Sequence, residues 1–220
     1  MPRSIPCTLV LSIACVLSTA CSSASNVRVQ AGSNPNAADD TTGEGLVPPG
    51  FGSLRQDDIA VKIQLQSVQV RAIPLDESVI RLLSPDSYRA LRELQQSKQT
   101  ELRSLADRYN ARNPAIWYIS FYALEPDARF SPMEVVLQAG GRDFRPLDLV
   151  PLTNGFGEQR IKQREVQSAL YLFEDGISVD QPLTLTVEGV QNTSWSGILR
   201  SIERERAAVR SRASQSPPKR

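Results

Sequence analysis

The side chains of this chain that could do chemistry are carboxylates, hydroxyls, a few amines and many guanidiniums. No histidine occurs among the 220 residues, and the 3 cysteines are Cys7, Cys15 and Cys21, all near the start. Without imidazole there is no serine–histidine or cysteine–histidine catalysis, no imidazole-built zinc centre and no histidine-ligated haem. Carboxylates remain for acid–base work, and Asp57, Asp58, Asp143, Asp148, Glu174, Asp175 and Asp180 are the ones that fall in or near expected turns. None has the spacing of a nucleophile motif, a phosphate loop or a paired acid and base. Asp175-Gly-Ile-Ser-Val-Asp180 offers oxygens at alternate positions, as calcium loops do, but lacks the remaining ligands and the closing glutamate. Turn chemistry accounts for its Asp-Gly pair without a metal. No catalytic residue, metal or cofactor is assigned, and the chain is expected not to be an enzyme.

Aromatic rings are the other candidates. Trp117, Tyr118, Tyr122 and Trp195 could form a platform on which sugar rings stack. The first three belong to Ala115–Leu124, a run apolar on both parities, and core aromatics in a central strand are the preferred reading of it. Both readings stay open at this level.

The most informative stretch chemically is the leader. Arg3 is followed by an apolar run from Cys7 to Leu17 and by Ser18-Thr19-Ala20, the charged start, short core and small residues of an export signal. The core is too short to span a bilayer, which takes about 20 apolar residues. The order Leu17-Ser18-Thr19-Ala20-Cys21 resembles the bacterial lipobox, with the leucine one place further from the cysteine than in the commonest pattern. That resemblance implies a bacterial lipoprotein: residues 1–20 removed, Cys21 acylated, and the protein held at the membrane of the cell envelope by lipid. Ser22, not an acidic residue, follows the cysteine, which in lipoproteins of the enteric type implies passage to the outer membrane. Removal of Cys7 and Cys15 and acylation of Cys21 would leave no free thiol.

The net charge is +1, so no long-range field argues for nucleic acid. The basic residues are mostly arginine, the lysines being Lys62, Lys98, Lys162 and Lys219. Residues 21–56 are rich in Ser, Asn, Ala, Gly and Asp and poor in large apolar side chains, the composition of a lipidated, flexible linker. Residues 57–192 are expected to form the folded domain.

Ile59, Val61, Ile63 and Leu65 alternate with Ala60, Lys62, Gln64 and Gln66, and Val68, Val70 and Ala72 continue on the other parity, which a bulge near Gln66-Ser67, or one long strand crossing from one layer to another, would explain. Residues 76–110 switch to helical spacing. Ser84-Pro85-Asp86 is a good helix start, with serine as cap. Tyr88, Leu91, Leu94, Leu102, Leu105 and Tyr109 then predict one amphipathic helix of about 26 residues, interrupted only by Lys98. Strands are expected at Met133–Ala139, from Phe144 to about Val150, at Val166–Phe173 and at Leu183–Val187, with a tight Gly140-Gly141 hairpin. The expected fold is mainly β with one long helix: a six-stranded antiparallel β-sandwich with a helical insertion after the first strand. Gly141-Arg-Asp-Phe144-Arg-Pro146, Leu170-Tyr-Leu-Phe173 and Pro182-Leu-Thr-Leu-Thr186 resemble segments of the immunoglobulin-like domains of bacterial surface lipoproteins, which implies the same sandwich. Residues 193–220 read as a short helix grading into a basic disordered tail, a solvated terminus that an anionic leaflet or an acidic partner could attract. The expected role is non-catalytic binding or assembly with an envelope protein partner, alongside the membrane bound through lipid. The alternative is a carbohydrate- or peptidoglycan-binding module that stacks sugars on the four aromatic residues.

Overall fold

The change of parity at Gln66 is produced by a hairpin. In the computed structural model, which describes residues 46–215, β1 (Val61–Gln64) and β2 (Val68–Pro74) pair antiparallel, Ile63 opposite Val70 and Val61 opposite Ala72. The Leu65 N–H donates to the Val68 carbonyl at 2.9 Å, leaving Gln66-Ser67 as a two-residue turn. Such a turn carries inward-facing residues from odd to even positions, so the expected single bulged strand is corrected to two strands.

The two runs apolar on both parities become the two most enclosed strands. β3 (Ala115–Ala123) lies between β2 and β9 (Val166–Phe173), and β9 lies between β3 and β7 (Pro146–Pro151). The resulting antiparallel sheet has the order β1-β2-β3-β9-β7. A second antiparallel sheet, ordered β11-β10-β5-β6, is built from β5 (Val135–Ala139), β6 (Arg142–Phe144), β10 (Leu183–Val187) and β11 (Val190–Asn192). A small pair joins β4 (Ala128–Arg129) to β8 (Arg160–Ile161). Gly140 and Gly141, both at positive φ, turn β5 into β6 as their sequence demanded.

The six-stranded sandwich is therefore corrected to 11 strands in three sheets among the described residues. The coarse expectation, mainly β with antiparallel pairing, holds. Four of the extra strands, β4, β6, β8 and β11, are two or three residues long, too short to show a period of their own, and β2, whose alternation is legible, is joined to β1 in the expected single strand. Inward residues of both larger sheets (Val61, Ile63, Val70, Ile119 and Phe121; Val135, Leu137, Leu183 and Leu185) belong to one apolar core. The Asn192 amide donates to the Lys62 carbonyl at 2.8 Å and so ties the edges β11 and β1 together.

Four helices complete the described residues: α1 (Glu77–Ile80), α2 (Pro85–Ser97), α3 (Gln99–Arg108) and α4 (Trp195–Gln215). The expected single long helix is broken at Lys98. The Ser97 hydroxyl donates to the Leu94 carbonyl at 2.7 Å, the acceptor that the Lys98 N–H would need to continue the helix. That N–H turns to Gln95 and Gln96 instead. Ser84 does occupy the cap position of α2, but its hydroxyl meets Ser87 Oγ at 3.0 Å and not the helix backbone. α3 packs against β7 and β9, covering the second face of the large sheet, where Val150, Leu170 and Leu172 are buried.

Two expected segment boundaries also move. Residues 46–56, assigned to the linker, lie on the domain as a strap: Val47 is 3% exposed, and Leu54 forms a parallel bridge with Leu83. The tail expected beyond the short helix continues as α4 to Gln215. Residues 1–20, Cys21 and the rest of the expected linker to residue 45, as well as 216–220, lie outside the described residues.

Inside the core, Tyr171 is fully buried and its hydroxyl has no hydrogen-bond partner. Burial pushes its pKa up. A buried hydroxyl without a partner costs about 1–3 kcal/mol. Tyr171→Phe keeps the ring that stacks on Phe173 at 6.4 Å and removes only this cost. The expected gain is about 1 kcal/mol, a rise in Tm of about 2–4 °C by calorimetry. A loss of similar size would mean that the hydroxyl is bonded in solution.

Candidate functional site

The four aromatic candidates separate by depth. Trp117 and Trp195 are 1% and 0% exposed. Their rings meet at 5.9 Å with a tilt of 56°, and the Trp195 indole N–H donates to the Val179 carbonyl at 3.1 Å. Neither ring has a face for a sugar. Tyr118 and Tyr122 are half-buried on the opposite face of β3. Tyr122 lies in a cross-strand row with Gln64, Gln69 and Val166. Tyr118 pairs with Ile73 and Leu170, both buried. The structure therefore does not bring the four rings together as one platform.

The carboxylates picked out from the sequence are each engaged by the protein itself. Asp57 bridges Lys62 and Arg71, both at 3.0 Å. Hydrogen bonding from Lys62 outweighs burial and holds the Asp57 carboxyl below the usual range. Asp58 accepts the Arg55 N–H, and Asp143 meets Gln138. Asp148 accepts from Tyr109 and Leu149, and Glu174 pairs with Arg142. In the calcium-like segment, Asp175 accepts the Arg112 and Asn113 N–H groups, while Asp180 pairs with Arg206 at 2.9 Å. Both are thus ordinary loop and helix fasteners. Among the described residues no group of three or more acidic or cysteine side chains is placed to hold a metal ion.

A different set of polar residues converges where β4 and β8 meet the turn after β7. Asp127, Asn154, Gly155, Glu158, Arg160 and Lys162, with Glu165 and Gln167, line a groove of about 490 Å³. In the core, next to Gly155 and Gln167 in the chain or across the sheet, Phe121, Phe130 and Phe156 form an aromatic cluster with centroid separations of 4.4 Å (Phe121–Phe130), 5.2 Å (Phe130–Phe156) and 6.3 Å (Phe121–Phe156). Gln167 holds one wall, accepting from Thr153 Oγ1 at 2.5 Å and donating to the Asn154 carbonyl at 3.3 Å. Arg160 pairs with Asp127 at 3.3 Å across the mouth. Glu158, Lys162 and Glu165 point to solvent.

The backbone here is unusual. Of the five described non-glycine residues at positive φ, Asp127, Gln159 and Arg164 belong to the segments that shape this groove. Such conformations cost of order 1–3 kcal/mol each and persist where the surroundings impose them. The groove can hydrogen-bond a polar ligand carrying charges of both signs. It lacks the arrangement of a carboxylate acid–base pair, in which one carboxyl is drawn out of water. Sequence reading passed over it because its residues come from three loops, a single helical turn, the two-residue β8 and the start of β9, with no shared motif.

A second convergence joins the strap to α4. Arg212 donates to the Phe51 carbonyl and to Glu205, each at 2.5 Å. Glu205 also accepts from the Ser53 N–H at 2.8 Å and the Ser53 hydroxyl at 2.9 Å. Burial raises the Glu205 pKa, but the hydrogen bonds from Arg212 and Ser53 outweigh it, so the carboxyl sits below its usual range. On the other side of the strap, Arg81 reaches the Val47 carbonyl and pairs with Glu77 at 2.7 Å, and Glu77 also binds Arg92. No family model matches the chain, and no curated protein and no solved structure matches it either.

Proposed function

We propose that this chain is a lipid-anchored protein of the cell envelope whose folded part binds or assembles with an envelope partner and does no catalysis. The observation that carries the reading is the order Leu17-Ser18-Thr19-Ala20-Cys21 behind a short apolar run and one early arginine. Acylation at Cys21 would hold the domain at a membrane, the outer one if the sorting implied by Ser22 applies, since two or more acyl chains anchor stably where one does not. Among the described residues no helix is long and apolar enough to cross a membrane, so attachment on this reading rests on the lipid. The polar groove at Asp127, Glu158 and Glu165 is the surface we assign to the partner. Its mixed charges and solvated carboxylates suit recognition of a polar surface. The sugar-stacking alternative finds less support, because Trp117 and Trp195 are enclosed and only Tyr122 keeps company with side-chain amides.

The test is Cys21→Ser in the producing cell, followed by palmitate labelling and membrane fractionation. Wild type should carry the label and sediment with membranes. The variant should lose the label and keep its leader uncleaved. Retained label in Cys21→Ser, or a wild-type product whose N-terminus is not residue 21, would overturn the reading.

A further inference from the structure

The basic C-terminal segment is a packed helix with one face turned outward. Trp195, Ile202 and Val209, spaced by seven, are fully buried, and Ile198 packs beside them. Arg206 and Arg212 are committed to Asp180 and Glu205. On the side away from the core, Gly197, Arg200 and Arg204 recur at three- and four-residue spacing and are exposed, with Ala207, Arg210 and Ser211 continuing the exposed face. Gly197, Arg200, Glu203 and Arg204 line a shallow depression. The Arg204 side chain lies back along the helix, donating to the Arg200 carbonyl at 3.3 Å and Ser201 Oγ at 3.1 Å. Glu203 is the acidic residue at this depression, and Asp180, at the flank, is held by Arg206.

We propose that this face of α4 docks on the headgroups of an anionic phospholipid bilayer. The argument is charge complementarity together with place. Arginine forks match phosphate oxygens, and Arg200, whose guanidinium lies over Gly197, edges the depression together with Arg204. The strap by which the chain enters the domain is fastened to the same helix, through Arg212 on Phe51 and Glu205 on Ser53. On the lipid-anchor reading, on which this inference rests for its context, α4 is thus the helix at the root of the tether. A single lipid attachment point leaves orientation open; a basic face at the root of the tether sets which side of the domain meets the membrane.

The experiment measures partitioning of the purified full chain onto vesicles of phosphatidylcholine alone and of phosphatidylcholine with about one-third phosphatidylglycerol. The N-terminal segment is the same in wild type and variants, so its contribution cancels when their ratios are compared, and failure here is distinct from failure of the acylation test. Wild type should prefer the anionic vesicles at low ionic strength and lose the preference as salt rises. Each exposed arginine is expected to supply about fivefold, so Arg200→Gln with Arg204→Gln should cut the ratio by about 25-fold. Arg103→Gln, on α3, removes one exposed charge elsewhere and should leave the ratio nearly unchanged. A wild-type ratio near one, or an equal ratio in the double variant, would overturn the proposal, and circular dichroism of the variant checks that α4 is still folded.

Discussion

Replacing Trp195 by alanine is expected to cost about 4 kcal/mol of stability and to release α4 before the sheets open. Truncating a buried aromatic to alanine removes about 3–5 kcal/mol through lost transfer free energy and the cavity left behind. Here the ring is fully buried against Trp117, and its N–H satisfies the Val179 carbonyl. That carbonyl would be left without its indole donor. A domain stable by about 5–15 kcal/mol loses a large share of it. The chain has 2 tryptophans, so Trp117 becomes the only tryptophan reporter in a denaturant titration of the variant. Its emission should shift red as water reaches the space left by Trp195, and α4 amides should exchange faster than those of β3. Trp195→Phe, which keeps much of the ring and loses the donor, should cost about 1–2 kcal/mol. A change below about 1 kcal/mol for alanine would place the indole outside the core and reopen it as a ligand-facing ring.

The second large effect is expected at Gly52. A methyl group there would overlap the Leu82 carbonyl carbon and oxygen and the Leu83 oxygen. These are backbone atoms, so no rotamer change relieves the overlap. The approach is fixed by the Leu54 N–H donating to the Leu82 carbonyl at 3.2 Å and the Ser84 N–H donating to the Leu54 carbonyl at 2.8 Å. Gly52→Ala must therefore lift the strap, expose Val47 and break one or both of these bonds. The expected cost is about 3 kcal/mol, at the upper end of overpacking effects, with the free energy that seats the strap as its ceiling. Limited proteolysis should show it as faster cleavage between residues 46 and 56, with the sheets intact. Gly157 is the control, since nothing lies within 4 Å of the added carbon and its φ is not positive. Gly157→Ala should be neutral within about 0.5 kcal/mol. Equal protease resistance in Gly52→Ala would refute the seated strap.

Much of the fold could be read from local pattern. The runs Ala115–Leu124 and Val166–Phe173, apolar on both parities, became the enclosed strands β3 and β9, because only a strand covered on both faces requires such a run. Gly140-Gly141 became a hairpin because both positions need positive φ. The helical insertion was legible from its stripe of leucines and tyrosines. Its break was not, since Lys98 and Ser97 matter only through which carbonyl the serine hydroxyl takes.

α4 shows what periodicity misses. Its five arginines and two glutamates, at positions 200 to 212, depress the apolar signal, and three buried side chains seven apart are too sparse to mark a 21-residue helix. What stabilises it comes from elsewhere: Trp117 on β3, Val179 in a loop, Asp180, and the strap at Phe51 and Ser53. Helices of this kind gain most of their stability from tertiary packing, not from propensity. The strap is the same case in reverse. Val47-Pro-Pro-Gly-Phe-Gly52 has linker composition, and it is seated because a glycine fits against the Leu82 carbonyl and two arginines reach its own carbonyls.

By itself, then, the sequence determined the antiparallel β character and the central strands, the exclusion of imidazole chemistry, and the leader pattern from which place is inferred. These are properties of composition and of spacing within about ten residues, where backbone period and side-chain type decide. The tertiary structure alone decided which aromatics are enclosed, that the basic segment is a docked helix, and that Asp127, Glu158 and Glu165 share a groove with Gln167. Each of these depends on groups brought together from distant parts of the chain, and their burial, pairing and charge exist only once the sheets and the strap have closed around one core.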